Sequence, residues 1–261
     1  MKPQHQRVVD KLVTQFGADN RYLAMFVGGS IAKGWEREDS DVDVMFIVTP
    51  EEFARRREAL DLFHWDADVT DYENGYVDGK ILDRQFLVEC ADHGSEPARS
   101  AFANSITGFC HDKEVLELVA SIPVYQEAER DAKLRSFYSR MLVMQWYIGE
   151  AEKRDDRYLL LHCASELTLF TGRLILAFNR ILYPYHKWFM RTLESAPEQP
   201  AALMETLRAL LNAPSVSTAD AVVNLVLGWR DWGFERGPAF VQFLLDGEWN
   251  WRDGPAPLAD R

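Results

Sequence analysis

The sequence predicts an α+β protein whose first half builds a mixed β-sheet core and whose second half is a C-terminal all-α helical bundle. Three observations carry this. Two short runs rich in β-branched and aromatic residues, Tyr22–Val27 and Asp41–Val48, stand close together near the start. A Gly28-Gly29-Ser30 break separates them. From about Gln126 onward apolar residues recur only at helical spacing, and no strand-like stretch competes.

Each element follows from its pattern. Val8, Val9, Leu12, Val13 and Phe16 mark a helix over residues 5–16, with Gly17 as its stop. The strand Tyr22–Val27 comes next. Ser30 is expected to cap a short helix from Ile31 to Trp35, which ends at the loop Glu36–Ser40. The strand Asp41–Val48 follows and ends before Pro50, and Glu51–Phe63 reads as a helix. Asp66–Tyr72 and Gly75–Cys90 read as further strands, and Asp78-Gly79, between apolar-alternating flanks, is a hairpin signal. Two helical patches surround the run Ile106–His111 within residues 94–121. Amphipathic helices are expected over Ala128–Lys153, Arg157–Leu182, His186–Leu193, Ala201–Leu211, Thr218–Trp229 and Ala239–Leu245. A domain boundary falls near residue 122, giving domains 1–122 and 123–261, and the tail Asp253-Gly254-Pro255-Ala256-Pro257 reads as loose.

The 261 residues suffice for one large or two modest domains, and 47% hydrophobic with 27% charged residues is an ordinary composition for a packed core. A net charge of −12 disfavours a phosphate-tracking surface, so long nucleic acids are not expected partners. It suits a cationic small substrate and plain solubility equally well. Cys90, Cys110 and Cys163 have no metal-ligand spacing and no disulfide framework, which points to a reducing cytoplasm. The start, Met-Lys-Pro-Gln-His-Gln, lacks an apolar signal core, and no apolar run approaches about 18 residues. No membrane partner is expected, and the oligomeric state stays open.

The chemistry concentrates around the first two strands. Asp41 and Asp43 are two apart on a strand and so share a face. Paired carboxylates hold divalent cations, and a glycine turn lets backbone N–H groups approach phosphate. Gly-Gly-Ser alone is weak; carboxylates satisfied by turns would explain one aspartate but not two facing ones beside such a turn. Asp39 shares their parity but precedes the strand. Lys33, one helical turn after Ser30, reads first as a solvated lysine. Glu166, inside an otherwise apolar helix, is expected to pair with Arg173 or Arg140. His162 and Cys163 are adjacent, do not face each other on a helix, and make neither a nucleophilic pair nor a metal site. Trp229, Trp232, Trp249 and Trp251 read as packing residues.

Gly28-Gly29-Ser30, Gly34 and Ser40-Asp41-Val42-Asp43-Val44 resemble the signature of the DNA polymerase β-like nucleotidyltransferase superfamily. A helical domain after such a core is similar to kanamycin nucleotidyltransferase and to the aminoglycoside and lincosamide adenylyltransferases. The motif match covers residues 26–48; the remainder fits by element order and helical character. The resemblance implies a nucleotidyltransferase catalytic domain over 1–122, with a substrate-binding bundle over 123–261 and the acceptor between them. It implies transfer of a nucleoside monophosphate, AMP when ATP is the donor or the matching monophosphate of another nucleoside triphosphate, onto a hydroxyl of a small acceptor such as an aminoglycoside-like antibiotic. Asp41 and Asp43 would hold two Mg2+ ions. A third carboxylate from a neighbouring strand would complete the site and accept a proton; Asp83 is expected there ahead of Asp68. Gly29 and Ser30 would hold the β- and γ-phosphates. In the cluster Tyr183-Pro184-Tyr185-His186-Lys187-Trp188, Lys187 would help neutralise the triphosphate, with His186 a lesser candidate. The alternatives are a protein or RNA adenylyltransferase and a non-catalytic nucleotide-binding or antitoxin-like module.

Overall fold

Two neighbouring runs of alternating side chains set the sheet. In the computed structural model, which describes residues 1–252, 254 and 255, β1 (Tyr22–Val27) and β2 (Val42–Val48) pair antiparallel, with Val27 opposite Val44. The sheet has five strands in the order β3-β4-β2-β1-β5, adding β3 (Phe63–Asp66), β4 (Val77–Asp83) and β5 (Ile106–Cys110). β4 runs parallel to β2, and β3 and β5 are the edges. One face packs Val42, Val44, Phe46 and Val48 beneath α1 (Pro3–Phe16). The other places Met45 and Ile47 in a second core with α4 (Arg84–His93), α5 (Glu96–Ala101) and α6 (Lys113–Ser121). Short α2 (Gly29–Ala32) and α3 (Pro50–Glu58) follow β1 and β2.

The chain divides into two compact units, Met1–Val124 and Tyr125–Arg261. The second is helical. Its core is built on α7 (Arg130–Lys153) and α8 (Arg157–Phe178), with α9 (His186–Glu194), α10 (Leu203–Asn212), α11 (Val216–Trp229) and α12 (Arg236–Asp246) around them. By length and composition α8 could cross a bilayer, but half of its most apolar stretch is buried in this core, as befits a central bundle helix. Asp253, Ala256 and Pro257 of the expected loose tail lie outside the described residues.

Three expectations are corrected. The helix after β2 ends at Glu58, and the third strand begins at Phe63, ahead of the expected Asp66. Asp78-Gly79 makes no turn: both residues lie inside β4, between β2 and β3. Close packing explains the glycine, because a Cβ on Gly79 would stand 2.9 Å from His64 Cβ and 3.1 Å from Val44 Cγ2. Gly75–Cys90 is also not one strand. It stops at Asp83, whose carboxylate accepts from Phe86 N at 2.8 Å and so caps α4.

α3 is anchored by a buried acid. Thr49 caps the helix by accepting from Glu52 N, and the Glu52 carboxylate, 4% exposed, takes hydrogen bonds from Arg55 and Arg56. Arg56 also donates to Tyr22 Oη on β1 at 2.7 Å, which ties helix to sheet. The Arg55 hydrogen bond, joined by that of Arg56, holds the Glu52 carboxyl down at about 2, against an ordinary 4.5. A lowered carboxylate stabilises the fold fully above the ordinary value and loses that contribution as pH falls through the folded one. Glu52→Gln should therefore lower the melting temperature at pH 7. Its deficit against wild type should shrink on acidification from 4.5 towards 2, as read by thermal denaturation across that range.

Candidate active site

The turn after β1 puts backbone against a carboxylate. Gly28 N–H donates to the Asp43 carbonyl at 2.9 Å, and Gly29 has φ of +56°, where L side chains are strained. A Cβ on Gly29 would overlap the Asp43 carboxylate, so the position fits only glycine. The expected cap by Ser30 is corrected. Gly28 is the N-cap of α2, and Ser30 lies inside the helix with its side chain 4% exposed and Oγ without a hydrogen-bond partner among the described residues. A buried hydroxyl with no partner is costly, and a phosphate oxygen would satisfy it.

The carboxylates gather at the same end of the sheet. Asp43 lies beside Asp78 in the parallel register, so both side chains leave the same face on strands about 4.8 Å apart. Asp41, just ahead of β2, accepts from Tyr76 Oη at 3.1 Å. The Tyr76 phenol is pushed up first by the charge of Asp41, and the charges of Asp78 and Asp43 add to it. All three acids thus act on one hydroxyl. Tyr72, which donates to the Ser40 carbonyl, is pushed up to about 12 by burial and by Asp41. Asp39 is turned away in an ion pair with Arg37 at 2.9 Å.

Lys33 departs from its expected solvated place. It is half-buried, its Nζ lies 3.4 Å from the Ser100 carbonyl, and it feels the charge of Asp43. Burial lowers its pKa from the ordinary 10.5, and Asp43 only partly opposes this. A cation held in a dry place beside a phosphate-sized turn has its use when an anion arrives.

Asp83 does not belong to this group. Its register partner is Val48, five positions along β2 from Asp43, or about 16 Å at strand rise. Its carboxylate is spent on the α4 cap. Asp78 holds the place on the neighbouring strand that was expected of Asp83. Sequence reasoning missed it because Asp-Gly inside an alternating run carries the same letters as a hairpin turn; the aspartate in a strand interior was the usable signal. Asp68 lies in the loop after β3, where its N–H donates to Asp66. Lys187 and His186 belong to the second unit, exposed on the first turn of α9, with Lys187 Nζ 5.5 Å from the Trp188 ring centroid. Glu166 pairs with Arg140 at 3.2 Å, and Cys90, Cys110 and Cys163 are free thiols.

Among the described residues no three His, Cys, Asp or Glu side chains form a ready-made metal cage. Mg2+ does not require one, because it is usually bound by one or two carboxylates with substrate phosphates and waters completing its shell. The donor set fits on these grounds: the carboxylates of Asp41 and Asp43 at one end of β2, the orphaned Ser30 hydroxyl, and a turn whose Gly29 backbone leaves no room for a Cβ.

The buried Lys33 charge gives a testable sign. A lysine with a lowered folded pKa costs stability below that value, and the cost is relieved as pH rises towards 10.5. Lys33→Met should raise the melting temperature of the ligand-free protein at pH 7, with the gain shrinking at alkaline pH, while weakening the binding of a magnesium–nucleotide complex. Parallel melting curves and nucleotide titrations check both halves.

Residues 9–89, which span β1 to β4 and hold Gly29, Ser30, Lys33, Asp41, Asp43 and Asp78, match the family model of the nucleotidyltransferase domain. No curated protein matches the chain. Among solved structures, a nucleotidyltransferase-like protein from Exiguobacterium sibiricum 255-15 is similar, with 11% identity and a TM-score of 0.47 over 93% of this chain and 78% of that one. Residues 9–89, the segment that carries the glycine turn and its carboxylates, are thus similar to a nucleotidyltransferase domain, a likeness that supports nucleotidyl transfer in general.

Proposed function

We propose that the protein transfers a nucleoside monophosphate, AMP from ATP, to a hydroxyl of a small acceptor in a Mg2+-dependent reaction. The observation that carries this reading is the row formed by Asp43 and Asp78, with Asp41 beside it and the Gly29 backbone lying directly over Asp43. Asp41 and Asp43 hold the divalent ions, which when bound polarise the α-phosphate and offset charge on the leaving group. Backbone N–H groups of the Gly28–Ser30 turn, the Ser30 hydroxyl and the Lys33 ammonium receive the β- and γ-phosphates. Asp78 accepts the proton of the attacking hydroxyl. The acceptor oxygen bonds to the α-phosphorus as the bond from that phosphorus to the bridging oxygen breaks, and pyrophosphate leaves with its electron pair. The net charge of −12 favours a cationic acceptor such as an aminoglycoside-like amino sugar over long nucleic acid. In this reading the reaction takes place in the cytoplasm.

Pyrophosphate release from ATP and Mg2+, with and without candidate acceptors, tests this. Asp43→Asn and Asp78→Asn should each lower the rate by about a hundredfold or more. Asp83→Ala should leave the rate within a few-fold while destabilising the protein by about 1 kcal/mol through loss of the α4 cap. Absence of nucleotide binding, or binding unaffected by Asp43→Asn, would sink the reading.

A further inference from the structure

The row of acids does not end at Asp78. On edge strand β3, Trp65 stands opposite Asp78 in the antiparallel register. Directly opposed residues share a face with Cβ atoms about 5 Å apart, so Trp65, Asp78 and Asp43 form one line across the sheet. The opposite face confirms the parity: His64, Gly79 and Val44 meet there, with His64 against the ring of Phe46 in the core.

Trp65 is 60% exposed, so one face of its indole is open to a ligand. Its indole is nonetheless braced. The Tyr76 ring lies 6.4 Å away, tilted by 30°, and the Tyr76 hydroxyl is hydrogen-bonded to Asp41. A flat aromatic surface is thus positioned through one tyrosine by a carboxylate of the candidate active site.

From this line we infer that Trp65, braced by Tyr76, is the shelf on which a ring of the acceptor stacks. The inference rests on the proposed nucleotidyl transfer and names the acceptor side of that site. Attack on phosphorus is in line, so the entering oxygen approaches opposite the departing pyrophosphate. The Gly29–Ser30 turn and Lys33, which receive the phosphates, flank Asp43 on the side away from β4. The entering oxygen therefore comes over Asp78, and the body of the acceptor extends over Trp65. An indole face beside carboxylates suits a ring with C–H groups on one side and hydroxyl or ammonium groups at its edge.

Kanamycin serves as the probe, with α,β-methylene-ATP and Mg2+ present so that no turnover is needed. Saturation-transfer NMR should show the kanamycin ring protons in contact with the wild-type protein. Trp65→Ala should weaken kanamycin binding about tenfold, and Trp65→Phe should restore most of it. Affinity for the nucleotide analogue should stay within about twofold of wild type in both variants. Any of three results overturns the inference: kanamycin does not bind the wild type, it binds Trp65→Ala equally well, or Trp65→Ala loses nucleotide affinity, which would assign the shelf to the base. A monomer–dimer shift in Trp65→Ala with kanamycin binding intact also overturns it and assigns β3 to contact between copies of the chain. Failure of the proposed function itself is separate, since it appears as loss of nucleotide binding in the wild type or as Asp43→Asn without effect.

Discussion

The site depends on the packing of a bare backbone against an acid. Gly29, at φ +56°, occupies the space that any Cβ would need, and the side chain filling it is the Asp43 carboxylate. That contact fixes where the turn after β1 sits over β2, and hence which N–H groups and which hydroxyl look toward the acids. The hydrogen bond from Gly28 N–H to the Asp43 carbonyl holds the same two segments through their backbones. Antiparallel pairing of β1 with β2 brings turn and acid together, and parallel pairing of β2 with β4 then sets Asp78 beside Asp43. One glycine, one register and one crossover bring together a turn and carboxylates from residues far apart in sequence.

Local geometry explains what the sequence revealed and what it hid. Tyr22–Val27, Gly28-Gly29-Ser30 and the Asp41/Asp43 pair are legible because a turn between two adjacent strands depends only on nearby residues. The long helices of the second unit are legible because their apolar spacing repeats. Asp78 was hidden by its glycine neighbour. Asp-Gly favours a tight turn when nothing else constrains the chain, but here Gly79 is demanded by His64 and Val44 from flanking strands. With no turn at Asp78-Gly79, β4 runs on to Asp83, whose carboxylate caps α4. Lys33 was hidden for a related reason, since burial by the Ser100 segment is a tertiary fact with no local signal. Ser30 is the subtler case: it looks like a cap, yet Gly28 fills that place, and the hydroxyl is left without a partner.

The second unit shows that a polar group within a bundle need not be functional. Glu166 lies in an apolar helix and is matched by Arg140, which also stacks over Phe170 and Phe243. Arg130 spends its guanidinium on the last carbonyls of α8, at Ala177 and Phe178. These cations satisfy helix ends and ring faces. The first unit holds the contrasting case: Lys33 is half-buried, and its contact to the Ser100 carbonyl and the charge of Asp43 offset its desolvation only in part.

Electrostatics makes that cost intelligible. Asp41, Asp43 and Asp78 place like charges close together at one sheet end in a chain already carrying −12. They concentrate negative charge at that end. In the proposed reaction divalent cations would offset that charge and attract phosphate in turn. Lys33 works with the same asymmetry, since its desolvation is already met in the folded protein and an incoming triphosphate collects the full attraction. Ser30 contributes a hydroxyl that is likewise desolvated in advance. The desolvated Lys33 ammonium and the partnerless Ser30 hydroxyl thus lie within a few residues of Gly29, where a metal–triphosphate complex would relieve both. Trp65 stands outside this balance because it is uncharged, and its exposed indole offers an apolar face at the acceptor side of Asp78 on which a ring would bury area.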